Sequence, residues 1–415
     1  MPVEVDLLII HAGQLLTLSA PAPRRRAGLE DLGIIRDGAV AVTGGRIAAV
    51  GTTAGLAPRV RAQREIDAVG RVVMPAFVDA HTHALYAGSR IDEFERRLQG
   101  ATYQEIMAAG GGIMSTVRTT RAASDEVLLA QTSARLQRML AQGTATVEIK
   151  TGYGLDTASE LRQLELVHRL AAQGPQRLVP TFLGAHAVPA EFAGQADAYV
   201  DRVVEEMLPR VVGLAEFCDV FCDEGAFTLA QTERILRRAQ ALGLGLKVHA
   251  DEFAPLGATG LAVELGAASV DHLVCTPAPE MARLAASNTA AVLLPATGFG
   301  LGAHYAAGRA WAQAGAIVAL ATDCNPGTAP GESMPFVIAL ACRALGLTPA
   351  QAVTAATLNA AYAMGRADQV GSLTPGKWAD LIILEAEDYR ELAYRFGGNP
   401  VQQVIVGGQP VMDWQ

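Results

Sequence analysis

The 415-residue sequence predicts an α/β fold: a TIM (β/α)8 barrel with a small β-sandwich domain composed of both chain termini. Short apolar runs alternate with helical patterns in the middle of the chain, which is the order expected of a parallel α/β fold. Polar residues, histidines above all, follow several of these runs. The eight runs are VVMPAFVDAHTH, TATVEIKTG, RLVPTFLGAH, CDVFCDEG, LGLKVHADEF, ASVDHLV, AAVLLPAT and AIVALATDCNPG.

A doubly wound sheet is the alternative architecture, but no G-x-G-x-x-G motif follows the first run. Eight strands within roughly 290 residues have the number and the size of a barrel. We therefore expect the first part of a β-sandwich at residues 1–67, the barrel at 68–364 and the second part of the sandwich at 365–415.

Both ends of the chain contain two strand-like runs separated by a pair of glycines. The pair is Gly44-Gly45 in IRDGAVAVTGGRIAAVG and Gly407-Gly408 in VQQVIVGGQPVMD. Such pairs favour two-residue hairpin turns. Because both ends share this pattern, we expect them to assemble one sandwich.

Composition and charge argue against nucleic acids and membranes as partners of the chain, and so favour small molecules. A net charge of −9 argues against nucleic-acid binding, which requires a basic surface. No run of about 18 apolar residues is present, so the sequence predicts no membrane span. Five cysteines form no disulfide framework, and the start MPVEVDLLII lacks the basic region of a signal peptide. We therefore expect a cytoplasmic protein.

Two of the eight histidines close the first apolar run, in the segment MPAFVDAHTH. Residues i and i+2 of a strand face the same side, so His81 and His83 share a face. Such a pair suits chelation of one metal ion, although an arbitrary H-x-H is more often two ordinary polar residues. The remaining strand ends favour the metal, because five of the eight histidines lie at four of them.

Three imidazoles and one carboxylate at these ends suit a borderline divalent metal such as Zn²⁺ or an iron ion. An open coordination position on such an ion activates water. The predicted ligands are His81, His83, His249 and Asp323.

This pattern resembles the amidohydrolase superfamily, whose signature is H-x-H on strand one, histidines on strands five and six, and aspartate on strand eight. The segments PAFVDAHTH and GSLTPGKWADL are also typical of it. Many members hold a second metal through a carboxylated lysine on strand four, but CDVFCDEG contains no lysine. The resemblance therefore implies a mononuclear site, with one Zn²⁺ or iron ion per subunit. Lys150 ends a different strand and is interpreted as structural, or as a support behind the ligands.

Within the superfamily, the likeness is greatest to members that open the ring of imidazolone propionate with water. It is carried by HTHALYAGSR, ATYQEIMAAGGGI, EIKTGYGLD, TFLGAHAVP, FCDEGAF, VHADEF and ATDCNPGT. It implies that Arg90 binds the substrate carboxylate and that the chain forms a homodimer. Gly327 has no side chain that could shield its backbone N–H, so we expect that N–H to be accessible. Besides Arg90, the implied substrate contacts are Tyr103, Tyr153, His186, Glu252, Asn325, Gly327 and Thr328.

Two further residues are predicted to take part in catalysis. Glu252 follows His249 by three residues, beyond the strand end, and is expected to be the main proton shuttle. His272, at the next strand end, is expected to give electrostatic support. The spacing of His249 and Glu252 also resembles the H-x-x-E of cytosine deaminases, so a purine or pyrimidine base deaminase is the alternative function. Arg90 favours ring opening, because neutral bases carry no carboxylate.

A non-catalytic scaffold is the third possibility. Amidohydrolase relatives of that kind typically lose metal ligands, whereas this chain retains a complete set.

Overall fold

A computed structural model describes residues 2–101, 105, 110–302 and 304–413. Eight strands form one sheet in which every neighbouring pair is parallel, and we label them in chain order. They are β1 (Phe77–Asp79), β2 (Thr144–Lys150), β3 (Arg177–Ala185), β4 (Phe217–Cys222), β5 (Gly245–Ala250), β6 (Ser269–His272), β7 (Ala290–Leu293) and β8 (Ile317–Leu320). The predicted TIM barrel is confirmed.

The sheet closes into a barrel between β8 and β1, just beyond their C-terminal ends. The Asp323 N–H donates to the His81 carbonyl at 3.0 Å, and the His83 N–H donates to the Cys324 carbonyl at 3.0 Å. Barrel closure is therefore made by the candidate metal ligands themselves and their neighbours. This pairing brings residues more than two hundred positions apart to one edge of the sheet.

The first apolar run is divided between two sheets at Ala76. The Ala76 N–H donates to the Asp380 carbonyl at 3.0 Å, while the next residue, Phe77, donates to the Gly143 carbonyl at 2.9 Å. Val72–Pro75 consequently belongs to the sandwich, although the predicted barrel segment begins at residue 68. Both parts of the run are buried, so its apolar character continues across the change of sheet.

The β-sandwich is built from both ends of the chain, as predicted. Its buried core combines N-terminal residues such as Leu7 and Val40 with C-terminal residues such as Leu381 and Ile405. The four-stranded sheet has the order Arg46–Thr52, Gly38–Thr43, Val3–Ala12, Val60–Asp67. The six-stranded sheet has the order Gln409–Asp413, Val401–Val406, Leu381–Leu384, Val72–Pro75, Gln14–Leu16, Ile34–Ile35.

Both predicted glycine hairpins are present. Gly44 and Gly45 have φ of +59° and +74°, and Gly407 and Gly408 have φ of +55° and +73°, values that favour glycine. A Cβ atom on Gly45 would lie 2.9 Å from the Gly407 carbonyl oxygen. The two hairpins therefore meet at their turns, which joins the two ends of the chain.

Helices follow the strands and cover the barrel. The predicted helices ASELRQLELVHRLAAQ and QTERILRRAQALG are observed at Thr157–Gln173 and Leu229–Ala241, and the side chains of Asp156 and Thr228 cap their first turns. Thr53–Leu56 packs against the sandwich. The remaining α-helices of the described residues are Ile91–Leu98, Ile113–Ala122, Asp125–Ala141, Ala196–Arg202, Leu208–Val211, Ala258–Glu264, Ala278–Ala285, Pro295–Leu301, Gly308–Ala314, Met334–Ala344, Pro349–Ala355, Leu358–Ala363 and Glu391–Tyr394. Short 3-10 helices lie at Arg26–Glu30, Ala57–Arg59 and Ala190–Phe192, and a π-helical turn lies at Val203–Met207.

Among the described residues, none of the helices combines the length and the apolar character that crossing a membrane requires.

Candidate active site

The predicted metal ligands converge at the C-terminal edge of the barrel. The Nε2 atom of His83 lies 3.3 Å from that of His81 and 3.4 Å from that of His249. Asp323 Oδ1 lies 3.4 Å from the Nε2 atoms of both His81 and His83. All four side chains are buried. Three imidazole nitrogens and a carboxylate oxygen thus face one point that is shielded from solvent.

The spacing and chemistry of these atoms fit a metal ion. Two nitrogens at 2.0–2.1 Å from a tetrahedral zinc lie roughly 3.3 Å apart, which matches the observed separations. Asp323 Oδ1 is buried without a hydrogen-bond partner. An orphaned carboxylate oxygen is costly in a buried site, and a bound cation would satisfy it.

Two of the histidines are oriented by carboxylates on their far side. Nδ1 of His81 lies 2.6 Å from Asp271 Oδ2, and Nδ1 of His249 lies 3.0 Å from Asp219 Oδ1. A carboxylate only accepts, so each Nδ1 carries the proton and each Nε2 lone pair faces the common point. Burial alone would raise the pKa of Asp219, but His249 and Lys150 hold that pKa well below its usual range.

Glu252 and His272 lie together beside the candidate ligands. Glu252 Oε2 is 3.6 Å from His272 Nδ1, and the His272 ring is centred 5.2 Å from that of His249. Burial, reinforced by the negative charges of Asp323 and Asp223, raises the pKa of Glu252 well above its usual value. Burial also lowers the pKa of His272 to about 4. This pair therefore offers a carboxyl group that protonates readily and a neutral imidazole.

A cavity of about 280 Å³ opens beside this pair. Glu252 and His272 contribute polar groups to its wall, while Leu294 and Leu301 supply apolar surface. His304, an exposed side chain that follows the helix Pro295–Leu301, also lines it.

Arg90, the predicted carboxylate binder, immediately precedes the helix Ile91–Leu98 and is anchored by Glu93. Its Nε and Nη2 atoms both lie 2.8 Å from Glu93 Oε2. Glu93 Oε1 also accepts the Gly112 N–H at 3.0 Å. Glu93 therefore holds Nε and Nη2 of the guanidinium. The remaining nitrogen, Nη1, lies close to Gly327, and a Cβ atom added to Gly327 would be 2.3 Å from Nη1.

The loop after β8 differs from the expectation in one respect. The Gly327 N–H is not open to a ligand, because it donates to Asn325 Oδ1 at 2.8 Å. Thr328 N–H donates to the same oxygen at 2.8 Å, and Asn325 Nδ2 donates to the Asp323 carbonyl at 2.7 Å. Asn325 thus holds the loop in a tight turn, and Gly327 is required here for its lack of a side chain.

His186 and Tyr153 flank His83. The His186 ring stacks on that of His83 with centroids 4.8 Å apart and 14° between the planes. His186 Nδ1 lies 3.1 Å from the Gly152 carbonyl oxygen. Because a carbonyl oxygen can only accept a hydrogen bond, Nδ1 carries the proton, and Nε2 of the neutral ring is left as an acceptor. Burial keeps the pKa of His186 well below and that of Tyr153 well above the usual values. Tyr103 lies outside the described residues.

Sequence reasoning missed the residues that support this site. Asp219 orients His249, Thr297 donates to Asp323 Oδ2 at 2.6 Å, and Glu93 anchors Arg90. Charged residues inside otherwise apolar strands, such as Asp219 in CDVFCDEG, were an available signal. Because burial of an unpaired charge is costly, such residues indicate a partner inside the barrel.

The fold and the site define a class of protein. The sequence profile of the amidohydrolase family matches residues 72–411, which includes all eight barrel strands. The chain belongs to the amidohydrolase family.

Curated relatives narrow the assignment. The imidazolonepropionases of Chloroflexus aggregans and Herpetosiphon aurantiacus are each 53% identical to this chain, over 98% of it and over 98% and 97% of their own lengths. That of Symbiobacterium thermophilum is 49% identical over 99% of the chain and 98% of its own. Within the family, the chain therefore groups with the imidazolonepropionases.

Solved structures agree in fold. A triazine hydrolase variant superposes with a TM-score of 0.77 at 19% identity, covering 99% of this chain and 95% of its own. A zinc-bound adenosine deaminase from Xanthomonas campestris gives 0.71 at 20% identity, covering 100% and 94%. Guanine deaminase of E. coli gives 0.72 at 15% identity, covering 98% and 99%. At these identities the likeness concerns the fold alone.

Proposed function

We propose that this chain hydrolyses the ring amide of 4-imidazolone-5-propanoate and releases N-formimidoyl-L-glutamate, a step of histidine degradation. The observation that carries the proposal is the convergence of three imidazole nitrogens and an unpartnered carboxylate oxygen in a chain 53% identical to imidazolonepropionases over nearly its full length. The anchored Arg90 supports a substrate with a carboxylate.

The proposed cofactor is one Zn²⁺ or iron ion per subunit, held by His81, His83, His249 and Asp323. Such an ion, when bound, lowers the pKa of a water molecule toward neutrality and so supplies the nucleophile. Asp271 and Asp219 keep the histidine lone pairs directed at it.

Glu252 is the proposed proton shuttle. Its carboxylate takes the proton that the attacking water loses as the C–O bond forms, and delivers it to the ring nitrogen as the C–N bond breaks. The raised pKa of Glu252 suits both halves of this transfer. His272 is neutral at physiological pH and offers an N–H to the carbonyl oxygen, where negative charge develops.

Substrate binding is assigned to residues beside His83 and to the loop after β8. The proposed contacts are Arg90 for the propionate, with Tyr153 and His186 orienting the ring. The loop after β8, which Arg90 approaches at Gly327, supplies the remaining proposed contacts, Asn325, Gly327 and Thr328. Tyr103 is proposed as a further contact from the sequence resemblance alone.

An absorbance assay with freshly generated imidazolone propionate tests the proposal. Metal-loaded protein should remove the substrate chromophore, and chelator-treated protein should not. If metal-loaded protein leaves the chromophore intact but releases ammonia from guanine, cytosine or adenosine, the alternative of a base deaminase replaces the proposal.

We further propose a homodimer in the cytoplasm. A homodimer is the assembly implied by the family resemblance, and the five cysteines are all unpaired. Light scattering after size-exclusion chromatography tests the first proposal, and cell fractionation tests the second.

A further inference from the structure

In the part of the chain that the structure describes, five charged side chains lie inside the barrel behind the candidate metal ligands, and each is fully buried. Burying a charge costs several kcal/mol unless it is paired, and barrel interiors are usually filled by branched apolar residues. Their presence therefore requires a role beyond filling space. The five are Glu148, Lys150, Asp219, Lys247 and Asp271.

Lys150 alone among the described lysines contacts both carboxylates that orient the ligand histidines. Its Nζ atom lies 2.6 Å from Asp219 Oδ2 and 3.6 Å from Asp271 Oδ2. The other oxygen of Asp219 accepts from His249, whereas Asp271 Oδ2 is itself the acceptor for His81. One ammonium group thus connects two histidine–aspartate pairs whose members come from β4, β5, β6 and the segment just after β1.

We infer that Lys150 is a positioning residue for the metal site, fixing the carboxylates of Asp219 and Asp271 so that the Nε2 atoms of His249 and His81 converge. The inference rests on the metal site of the proposed function. A carboxylate without Lys150 could rotate about its side-chain torsions and lose its alignment with Nδ1. The histidine ring would then be free to turn or to exchange tautomers, and either change removes a ligand.

Lys247 provides a matched control. It is as deeply buried as Lys150, and its Nζ atom also pairs with Glu148 Oε2 at 3.0 Å. It also donates to the Ala80 carbonyl at 3.2 Å and lies 5.3 Å from the centre of the Phe217 ring, and no ion pair joins it to either aspartate among the described residues. Loss of Lys247 removes the same buried charge without releasing Asp219 or Asp271.

The experiment compares Lys150→Met and Lys247→Met with the wild-type full chain. Equilibrium affinity for Zn²⁺ is measured by chelator competition, and the visible spectrum of Co²⁺-loaded protein reports the ligand geometry. Circular dichroism checks the fold of each variant. Lys150→Met should bind Zn²⁺ about 10–100-fold more weakly, the usual effect of losing a partner behind a ligand, with altered Co²⁺ bands. Lys247→Met should stay within about threefold of wild type with unchanged bands.

Wild-type affinity and bands in folded Lys150→Met would overturn the inference, and so would equal losses in the two variants. If Lys150→Met does not fold, the same measurements are made on Lys150→Gln, which keeps a polar group at this position. Failure of both to fold would assign Lys150 to barrel stability and also overturn the inference. Failure of the proposed function is distinct, since wild-type protein itself would then bind neither ion or, with metal bound, leave imidazolone propionate unopened.

Discussion

Thr297 donates a hydrogen bond to Asp323 Oδ2 over 2.6 Å, which turns the other carboxylate oxygen toward the Nε2 atoms of His81 and His83. The hydroxyl group therefore sets the rotation of the carboxylate. Both carboxylate oxygens of Asp323 therefore have a role: Oδ2 accepts the hydrogen bond from Thr297, and Oδ1 faces the proposed metal position.

Asp323→Ala is expected to lose the bound metal and the hydrolytic activity, because it removes the only carboxylate of the proposed ligand set. Thr297→Val keeps the carboxylate but frees its rotation, and should weaken metal affinity by about 10–100-fold. Elemental analysis after dialysis measures both effects, and Asp368→Ala, at an exposed position, serves as the control. Two metal equivalents in wild-type protein, or full metal content in Asp323→Ala, would contradict the mononuclear site.

Glu252→Gln should retain its metal while kcat falls about 10²–10⁴-fold, the contribution typical of a general acid–base group. The amide has the size of the carboxyl group but cannot shuttle a proton. Glu224→Gln, at an exposed position after β4, should leave kcat unchanged. A loss below about tenfold in metal-loaded Glu252→Gln would remove Glu252 from this role.

The pH dependence of kcat/KM should carry the signature of Glu252. Burial raises the pKa of this group, so its proton-accepting carboxylate forms only above that raised pKa, and activity is lost as the pH falls through it. We expect an acid limb at a pH above the ordinary range for glutamate. The limb should disappear in Glu252→Gln. An acid limb that persists unchanged in this variant belongs to another group.

Arg90→Met should lower kcat/KM on imidazolone propionate by about 10–150-fold, the equivalent of one charge-assisted hydrogen bond of roughly 1.5–3 kcal/mol. Metal content should not change, and any slow substrate without a carboxylate should be affected far less. Arg96→Met alters an exposed arginine of the helix that follows Arg90 and is the matched control. Equal losses on substrates with and without the carboxylate would show that Arg90 does not recognise it.

Gly327→Ala should disturb the same contact from the opposite side. The new methyl group would lie 2.3 Å from Arg90 Nη1, so the guanidinium must move. A displacement of about 1 Å can cost about 10²-fold in kcat/KM. Gly331→Ala, in the same loop with no atom near its Cβ position, should have little effect. Similar kinetics for the two variants would mean that the approach of Arg90 to the loop is not used in binding.

The sequence by itself determined the barrel, the two-ended sandwich and the order of polar residues at the strand ends. These features are local, because an apolar run, a glycine pair or an H-x-H segment specifies its own backbone geometry and the direction of its side chains. Adding the rule that parallel strands place their C-terminal ends at one edge was enough to group His81, His83, His249 and Asp323.

Only the tertiary structure decided which groups support these residues. Asp219 contacts His249 across the β4–β5 pair, Asp271 contacts His81 from the other side of the barrel, and Lys150 reaches both aspartates. The change of sheet at Ala76 likewise depends on hydrogen-bond partners far along the chain. Such pairings are set by how the strands close into a barrel and by which buried charges can neutralise one another, and neither is a property of a local stretch of sequence.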